Sequence, residues 1–321
     1  MTPDGEGGMA AAAPESGATY RLSMVVNDRR ARRAFLALLA GAAGIALAPI
    51  FVRLSEVGPL PTAFWRTALA TPVLAALVPF LPSETDRVRR PRNRRALVGF
   101  TLAGALFAGD LGCWHLSIVY TSVANATLLA NLAPVFVTLF SFLIFGTRFS
   151  RLFLAGMVLS LAGSAMLMGD SAVLGGRNLA GDVLGVITAL FYGGYFLAIA
   201  RLRSAYGAAT VIALTTPFTA LCLVPAVLLA GGDWLPHSLY GWSVLLGVAL
   251  VSQCLGQGLI AYAFAHLPPA FGSVSLLLQP VLAALFAWQL FGEAVVGLQA
   301  AGMVLVLAGV VMARQGSLRQ E

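Results

Sequence analysis

Residues 132–163 read LAPVFVTLFSFLIFGTRFSRLFLAGMVLSLAG, and residues 278–309 read LQPVLAALFAWQLFGEAVVGLQAAGMVLVLAG. The two stretches lie 146 residues apart and agree at 16 of 32 ungapped positions. Shared apolar composition accounts for part of that agreement. It does not account for Pro134/Pro280, Phe145-Gly146/Phe291-Gly292 and Gly156-Met157-Val158-Leu159/Gly302-Met303-Val304-Leu305 standing in register. Proline removes a helix donor and glycine admits close backbone approach, so their shared register marks shared backbone architecture. The chain reads as a tandem duplication.

Hydropathy indicates what is duplicated. Of 321 residues, 59% are hydrophobic and only 10% are charged, with mean hydropathy +0.87. A soluble domain is about a quarter charged, so this chain lacks the polar side chains to cover a soluble globule. Ten apolar spans follow, with approximate limits 34–52, 61–81, 96–117, 121–144, 151–168, 180–200, 208–230, 240–263, 268–291 and 295–313. Each is long enough for a hydrocarbon core of about 30 Å. Lipid offers backbone groups no partners, so spans are helices or closed barrels. These runs are longer and more continuously apolar than barrel strands. The expected fold class is an all-α membrane protein of ten transmembrane helices in two five-helix repeats.

Five is odd, so the second copy must enter the membrane from the opposite side to the first. That makes an inverted repeat about an axis in the membrane plane, a signature of secondary transporters. The expected organisation is a disordered basic tail (1–33), a first repeat (34–168), a connecting loop (169–179), a second repeat (180–313) and a short tail (314–321). Arg32-Arg33 before the first apolar run resembles a twin-arginine export signal. That run continues to about Val52, however, and more spans follow, so it reads as a membrane span.

All 20 basic residues are Arg. With the N-terminus inside, 17 of them fall on the cytoplasmic side, six in the 82–95 loop alone. Arg53 and Arg177 fall outside and Arg66 lies within a span. This bias follows the positive-inside rule and predicts both termini in the cytoplasm. The net charge of +7 therefore reads as a topology signal, not a nucleic-acid footprint. Without Lys, a retinal or pyridoxal Schiff base is excluded. Cys113, Cys222 and Cys254 are scattered, with no disulfide or metal spacing. No cofactor or metal is called for. The Arg-only, Ala-rich composition fits a GC-rich bacterial genome, so the expected location is the inner (cytoplasmic) membrane.

The stretch Tyr120-Thr121-Ser122-Val123-Ala124-Asn125-Ala126-Thr127-Leu128-Leu129, followed by Leu132-Ala133-Pro134-Val135-Phe136, resembles an EamA domain of the drug/metabolite transporter superfamily. So does Phe291-Gly292-Glu293 followed by Gly302-Met303-Val304-Leu305. The likeness covers about residues 34–313 as two EamA-type repeats. It implies a ten-helix exporter of amino acids or other small metabolites with a central cavity and alternating access. The first copy departs from the pattern, with Gly146-Thr147 where the second has Gly292-Glu293.

Ionisable groups inside a span are costly and are functional candidates by default. Arg66 in the second span and Asp110 in the third lie at similar depth in the outer half, counted at 1.5 Å per residue. Arg66 can meet a substrate carboxylate and Asp110 can carry a proton. Alternatively the two form a structural ion pair, or Arg66 snorkels to the interface. Trp114 shares the face of Asp110 and lines a cavity or anchors at the interface. His115 lies about 140° round the helix from Asp110. Thr127, Asn131, Pro134, Thr138 and Ser141, at spacings of 4, 3, 4 and 3, form one polar stripe on the fourth span, which lines a cavity or packs against a neighbouring helix. Tyr192, Tyr195, Gln253, Gln257 and Gln279 converge near the midplane, and amides and phenols there suit a neutral or zwitterionic solute. Pro134 and Pro280 are equivalent kinks or hinges. Gly156, Gly163, Gly302 and Gly309 are expected as close-packing contacts.

No hydrolase, metalloprotease or nucleotide-binding motif is present. The expected partners are a small-molecule substrate, the lipid bilayer and a proton as candidate coupling ion, with no nucleic acid and a monomeric or homodimeric state. The rival reading is a membrane-embedded enzyme, receptor or scaffold. It would call for clustered ionisable groups or a soluble domain.

Overall fold

The computed structural model describes residues 17–80, 94–168, 179–291 and 297–318. The described residues are helical, with no strand among them. Nine helical stretches there are long and apolar enough to cross a membrane, and Arg151–Leu167 is a shorter apolar helix. The 82–93 part of the arginine-rich loop and Gly292-Glu293 lie outside the described residues.

The first copy comprises α1 (Gly17–Ala46), α2 (Ala48–Leu54), α3 (Pro59–Leu77), α4 (Arg94–Tyr120), α5 (Val123–Ala130), α6 (Ala133–Phe145) and α7 (Arg151–Met168). The second comprises α8 (Leu179–Arg203), α9 (Ala208–Ala230), α10 (Leu239–Gly247), a π-helical segment Val248–Gln257, α11 (Gly258–Ala263), α12 (Pro269–Ser275), α13 (Leu278–Phe291) and α14 (Gly297–Leu318). Helix α1 starts at Gly17, within the tail that composition assigns to disorder. Arg and Ala are good helix formers and no proline stands between Pro14 and Pro49, so the helix extends back from its apolar part.

Two spans that read as continuous are each broken in the middle. Regular α-helical bonding is interrupted at Asn131-Leu132, between α5 and α6, and at Leu276-Leu277, between α12 and α13, where the backbone stays right-handed and tightens into i→i+3 turns. The polar stripe from Thr127 to Ser141 is therefore split between two helices. Pro134 and Pro280 sit in the first turns of α6 and α13. Proline brings no N–H to a position where the regular bonding is already interrupted, and its fixed φ suits the first turn of a helix. Ser122 caps α5 by accepting from the Asn125 N–H at 3.0 Å. Helix α6 ends at Gly146, whose φ of 66° is left-handed and favours glycine.

Packing follows the duplication. Helix α4 packs on α8 as α1 packs on the π segment and α11. Helices α5 and α6 pack on α8 as α13 packs on α1, and α3 meets α9. The most extensive contact joins α7 to α14. A Cβ on Gly156 would lie 2.6 Å from the Gly309 carbonyl, and one on Gly163 would lie 2.6 Å from that of Gly302. Only glycine allows backbones this close, as at small-residue helix crossings in membranes. Leu143, Ile144, Leu229 and Val304 point outward and are exposed, as a lipid-facing belt requires.

The helix ends define two faces. On the arginine-rich face, Phe35 stacks on Phe271 at 5.9 Å, Phe100 meets Tyr206 at 5.1 Å and Phe196 meets Phe264 at 5.1 Å. Buried Arg203 closes the same face, donating from Nε to the Ala261 carbonyl at 2.8 Å and from a terminal nitrogen to that of Tyr206. On the arginine-poor face, Trp65 donates to the Trp234 carbonyl at 2.6 Å. There Glu56 also accepts from the His237 and Ser238 N–H groups at 3.0 and 3.2 Å and from the Ser238 hydroxyl.

Candidate functional site: a polar cavity at the helix breaks

A cavity of about 690 Å³, counted out to its open mouth, lies on the arginine-poor side of the aromatic layer just described. Both copies contribute to its wall. Arg66 comes from α3, Asp110 and Trp114 from α4, Asn131 from the first helix break, and Gln279 from the second broken span. Tyr192 on α8 and Gln257 at the end of the π segment complete its polar lining together with Thr127 and Thr188.

Arg66 is 5% exposed, so it does not snorkel to the interface. Its Nε–H donates to Gln253 Oε1 at 3.1 Å, and Gln253 Nε2 donates to Thr216 Oγ1 at 3.2 Å. This chain of bonds ties α3 to the π segment and to α9. The guanidinium also lies over the Phe107 ring, 5.6 Å from its centroid. A cation over an aromatic face is favourable, and the flat ring helps fix the guanidinium plane. The Nε bond leaves the two terminal nitrogens for a ligand, the fork geometry that suits a carboxylate.

Asp110 is 7% exposed and also lines the cavity. Arg66 and Asp110 are within electrostatic reach of each other, but among the described residues they do not form a salt bridge. The direct structural ion pair is therefore corrected. Arg66 is drawn to the Gln253 amide instead, and the two charges stay apart across a polar space. Two charges of opposite sign that are each nearly buried and unpaired with one another are costly, and a zwitterion placed between them would relieve both.

Tyr195 and Gln253 support the wall and do not line it. Tyr195 is 1% exposed, stacks on Phe107 with centroids 4.5 Å apart, and donates its hydroxyl to Gln257 Oε1 at 3.4 Å. His115 also lies off the cavity. Its Nδ1 bonds the Leu111 carbonyl of its own helix at 2.7 Å, as its 140° offset from Asp110 requires. Trp114 meets His115 edge-on, at 4.9 Å between ring centroids.

Sequence reasoning missed Phe107, Thr188 and Thr216. Thr188 stands four residues before Tyr192, a spacing that could have revealed it. Phe107, an apolar residue in an apolar span, gives no such signal. Thr216 acts only through Gln253, which depends on how distant helices pack.

The comparisons agree with this architecture. The model of the EamA-like transporter family matches twice, over residues 32–169 and 179–315. The pseudopaline exporter CntI of Pseudomonas aeruginosa is 27% identical over 220 residues, covering 68% of this chain and 75% of that protein. The threonine/homoserine exporter RhtA of Salmonella typhimurium is 28% identical over 255 residues, covering 78% and 79%. An uncharacterized transporter of Archaeoglobus fulgidus is 27% identical over 273 residues, covering 82% and 91%. A protein of known crystal structure superposes with a TM-score of 0.72 at 17% identity, over 90% of this chain and 98% of that one, which shows a shared fold. With both copies matched across nearly the whole span of apolar helices, the chain belongs to the EamA-like transporter family.

Proposed function

We propose that this protein exports a small zwitterionic metabolite, an amino acid or related organic solute, across the bacterial inner membrane by alternating access. The observation that carries this reading is the separation of Arg66 from Asp110 across a cavity whose otherwise largely apolar wall carries a few polar groups. The Arg66 fork takes the solute's carboxylate and Asp110 takes its ammonium group. Both charges are then paired only when the cavity is loaded, which favours binding over empty occlusion. Relatives named as exporters of pseudopaline and of threonine/homoserine support metabolite export.

The arginine excess on one face supports a cytoplasmic location for that face and for both termini. The cavity then faces outward in this conformation, with the aromatic layer and Arg203 closing the inner side. Inverted copies supply the opposite state by exchanging roles. Asp110 is the candidate proton carrier, because a loaded cavity needs its carboxylate charged and a returning empty one is better with it neutral.

The test is flux of labelled amino acids in proteoliposomes of the purified protein, with Arg66→Ala and Asp110→Asn as comparisons. Counterflow in the wild type, lost in both variants that still purify as folded protein, is expected. Undiminished flux in both variants would overturn the assignment of these charges.

A further inference from the structure

Two amide nitrogens in the cavity wall are buried without a hydrogen-bond partner: Asn131 Nδ2 and Gln279 Nε2. The Tyr192 hydroxyl comes near Gln279 without reaching bonding geometry at that nitrogen. Buried polar groups are nearly always bonded, so an exception calls for an explanation. Here two such groups line one cavity, each close to one of the two helix breaks. Asn131 stands at the break before α6, and Gln279 is the second residue after the break before α13. The backbone N–H groups of Leu132, Val135, Leu277 and Gln279 are bonded to carbonyls within or just before each turn, so these two side-chain amides are the donors left over there. Neither amide is needed to bond Arg66, which is held by Gln253.

We propose that Asn131 and Gln279 form a separate subsite that binds a hydrogen-bond acceptor on the solute's side chain. The inference rests on the zwitterion reading above and narrows it. The carboxylate and ammonium groups occupy Arg66 and Asp110, and a side-chain carbonyl or carboxylate oxygen takes the N–H groups of the two amides. An amide N–H only donates, so it pairs with an oxygen acceptor and not with an ammonium group. A solute with an apolar side chain leaves both buried donors unpaired. Sites built to bond a polar group reject analogues lacking it far more strongly than apolar pockets reject a hydroxyl. The solutes selected are therefore zwitterions with a short, acceptor-bearing side chain.

The experiment compares flux of asparagine, aspartate and leucine, which are similar in size, in proteoliposomes. The wild type is expected to favour asparagine and aspartate over leucine by tenfold or more in kcat/KM. Asn131→Leu and Gln279→Leu should each shrink that ratio at least several-fold, with thermal unfolding used to confirm folded protein. Asn131→Asp should turn preference away from aspartate and toward 2,4-diaminobutyrate, a gain that unfolding cannot imitate. A wild type that moves leucine as well as asparagine, or variants with the wild-type ratio, would overturn the inference and leave the transport reading standing. A wild type that moves none of these solutes would overturn both.

Discussion

Ser160 on α7 donates to the carbonyl of Val306 on α14 at 3.4 Å, and Val306 is its own counterpart 146 residues later. A residue that touches its equivalent lies near the axis relating the copies. The flanking contacts agree: Gly156 faces Gly309 and Gly163 faces Gly302, so residue i meets j′ and j meets i′. As one number rises the other falls, and the two helices run antiparallel there.

Filling this crossing should be costly. Gly163→Val would put atoms into the Gly302 carbonyl, which can move only by separating α7 from α14. A loss of about 2 kcal/mol or more is expected, seen as a lowered thermal unfolding midpoint in detergent. Gly207→Ala and Gly258→Ala, where an added Cβ meets nothing within 4 Å, should leave the midpoint nearly unchanged.

Gln253 positions Arg66 without lining the cavity. Gln253→Leu should weaken transport about tenfold, near the 1.5 kcal/mol of a hydrogen bond to a charged group. The loss should fall mainly on KM. Little further loss is expected when Gln253→Leu is added to Arg66→Ala, because the two act as one unit. Arg66→Lys should not rescue, since an ammonium cannot bond Gln253 and present a fork together.

Arg203 pins the closed face through the Ala261 and Tyr206 carbonyls. Ala283 lines the cavity, so Cys at that position, with the native cysteines replaced, should react with an impermeant thiol reagent from the arginine-poor face. Adding Arg203→Ala should raise labelling from the arginine-rich face several-fold. Equal labelling from that face in both backgrounds would show that Arg203 does not hold the closure.

Glu56 joins two loops on the arginine-poor face. The Ser238 hydroxyl, with the His237 and Ser238 N–H groups and His237 itself, holds its carboxyl below the ordinary 4.5. A lowered pKa in the folded state means the contact is fully present above about pH 4.5 and is lost as pH falls through the lowered value. Glu56→Gln at neutral pH should therefore reproduce acid. Hydrogen exchange of the peptide covering His237 to Gly241 should quicken in the variant, and in the wild type only on acidification.

How much of this was legible in the sequence depended on the kind of residue. The duplication could be read because Pro134/Pro280 and Gly156/Gly302 carry backbone information that apolar composition does not imitate. Arg66 and Asp110 stood out because a charge within a span has no ordinary explanation. The breaks at 131–132 and 276–277 were legible only in part: Pro134 and Pro280 marked the neighbourhood of each as a kink, but hydropathy carries no sign of the turn itself. The division of labour between Gln253 and Gln257 was hidden too. At four residues' spacing they share one helix face, yet the π segment sends Gln253 to Arg66 and Thr216 and Gln257 to the cavity. That choice is made by contacts between distant helices.

Export from cells tests the central claim most directly. Cells overproducing the protein are loaded with dipeptides, and amino acids and other metabolites released to the medium are followed by mass spectrometry, with Asp110→Asn cells alongside. Selective efflux of a zwitterionic solute from wild-type cells, lost in the variant, is the predicted result. No efflux from wild-type cells across a broad panel, with the protein folded in the membrane, would contradict the account.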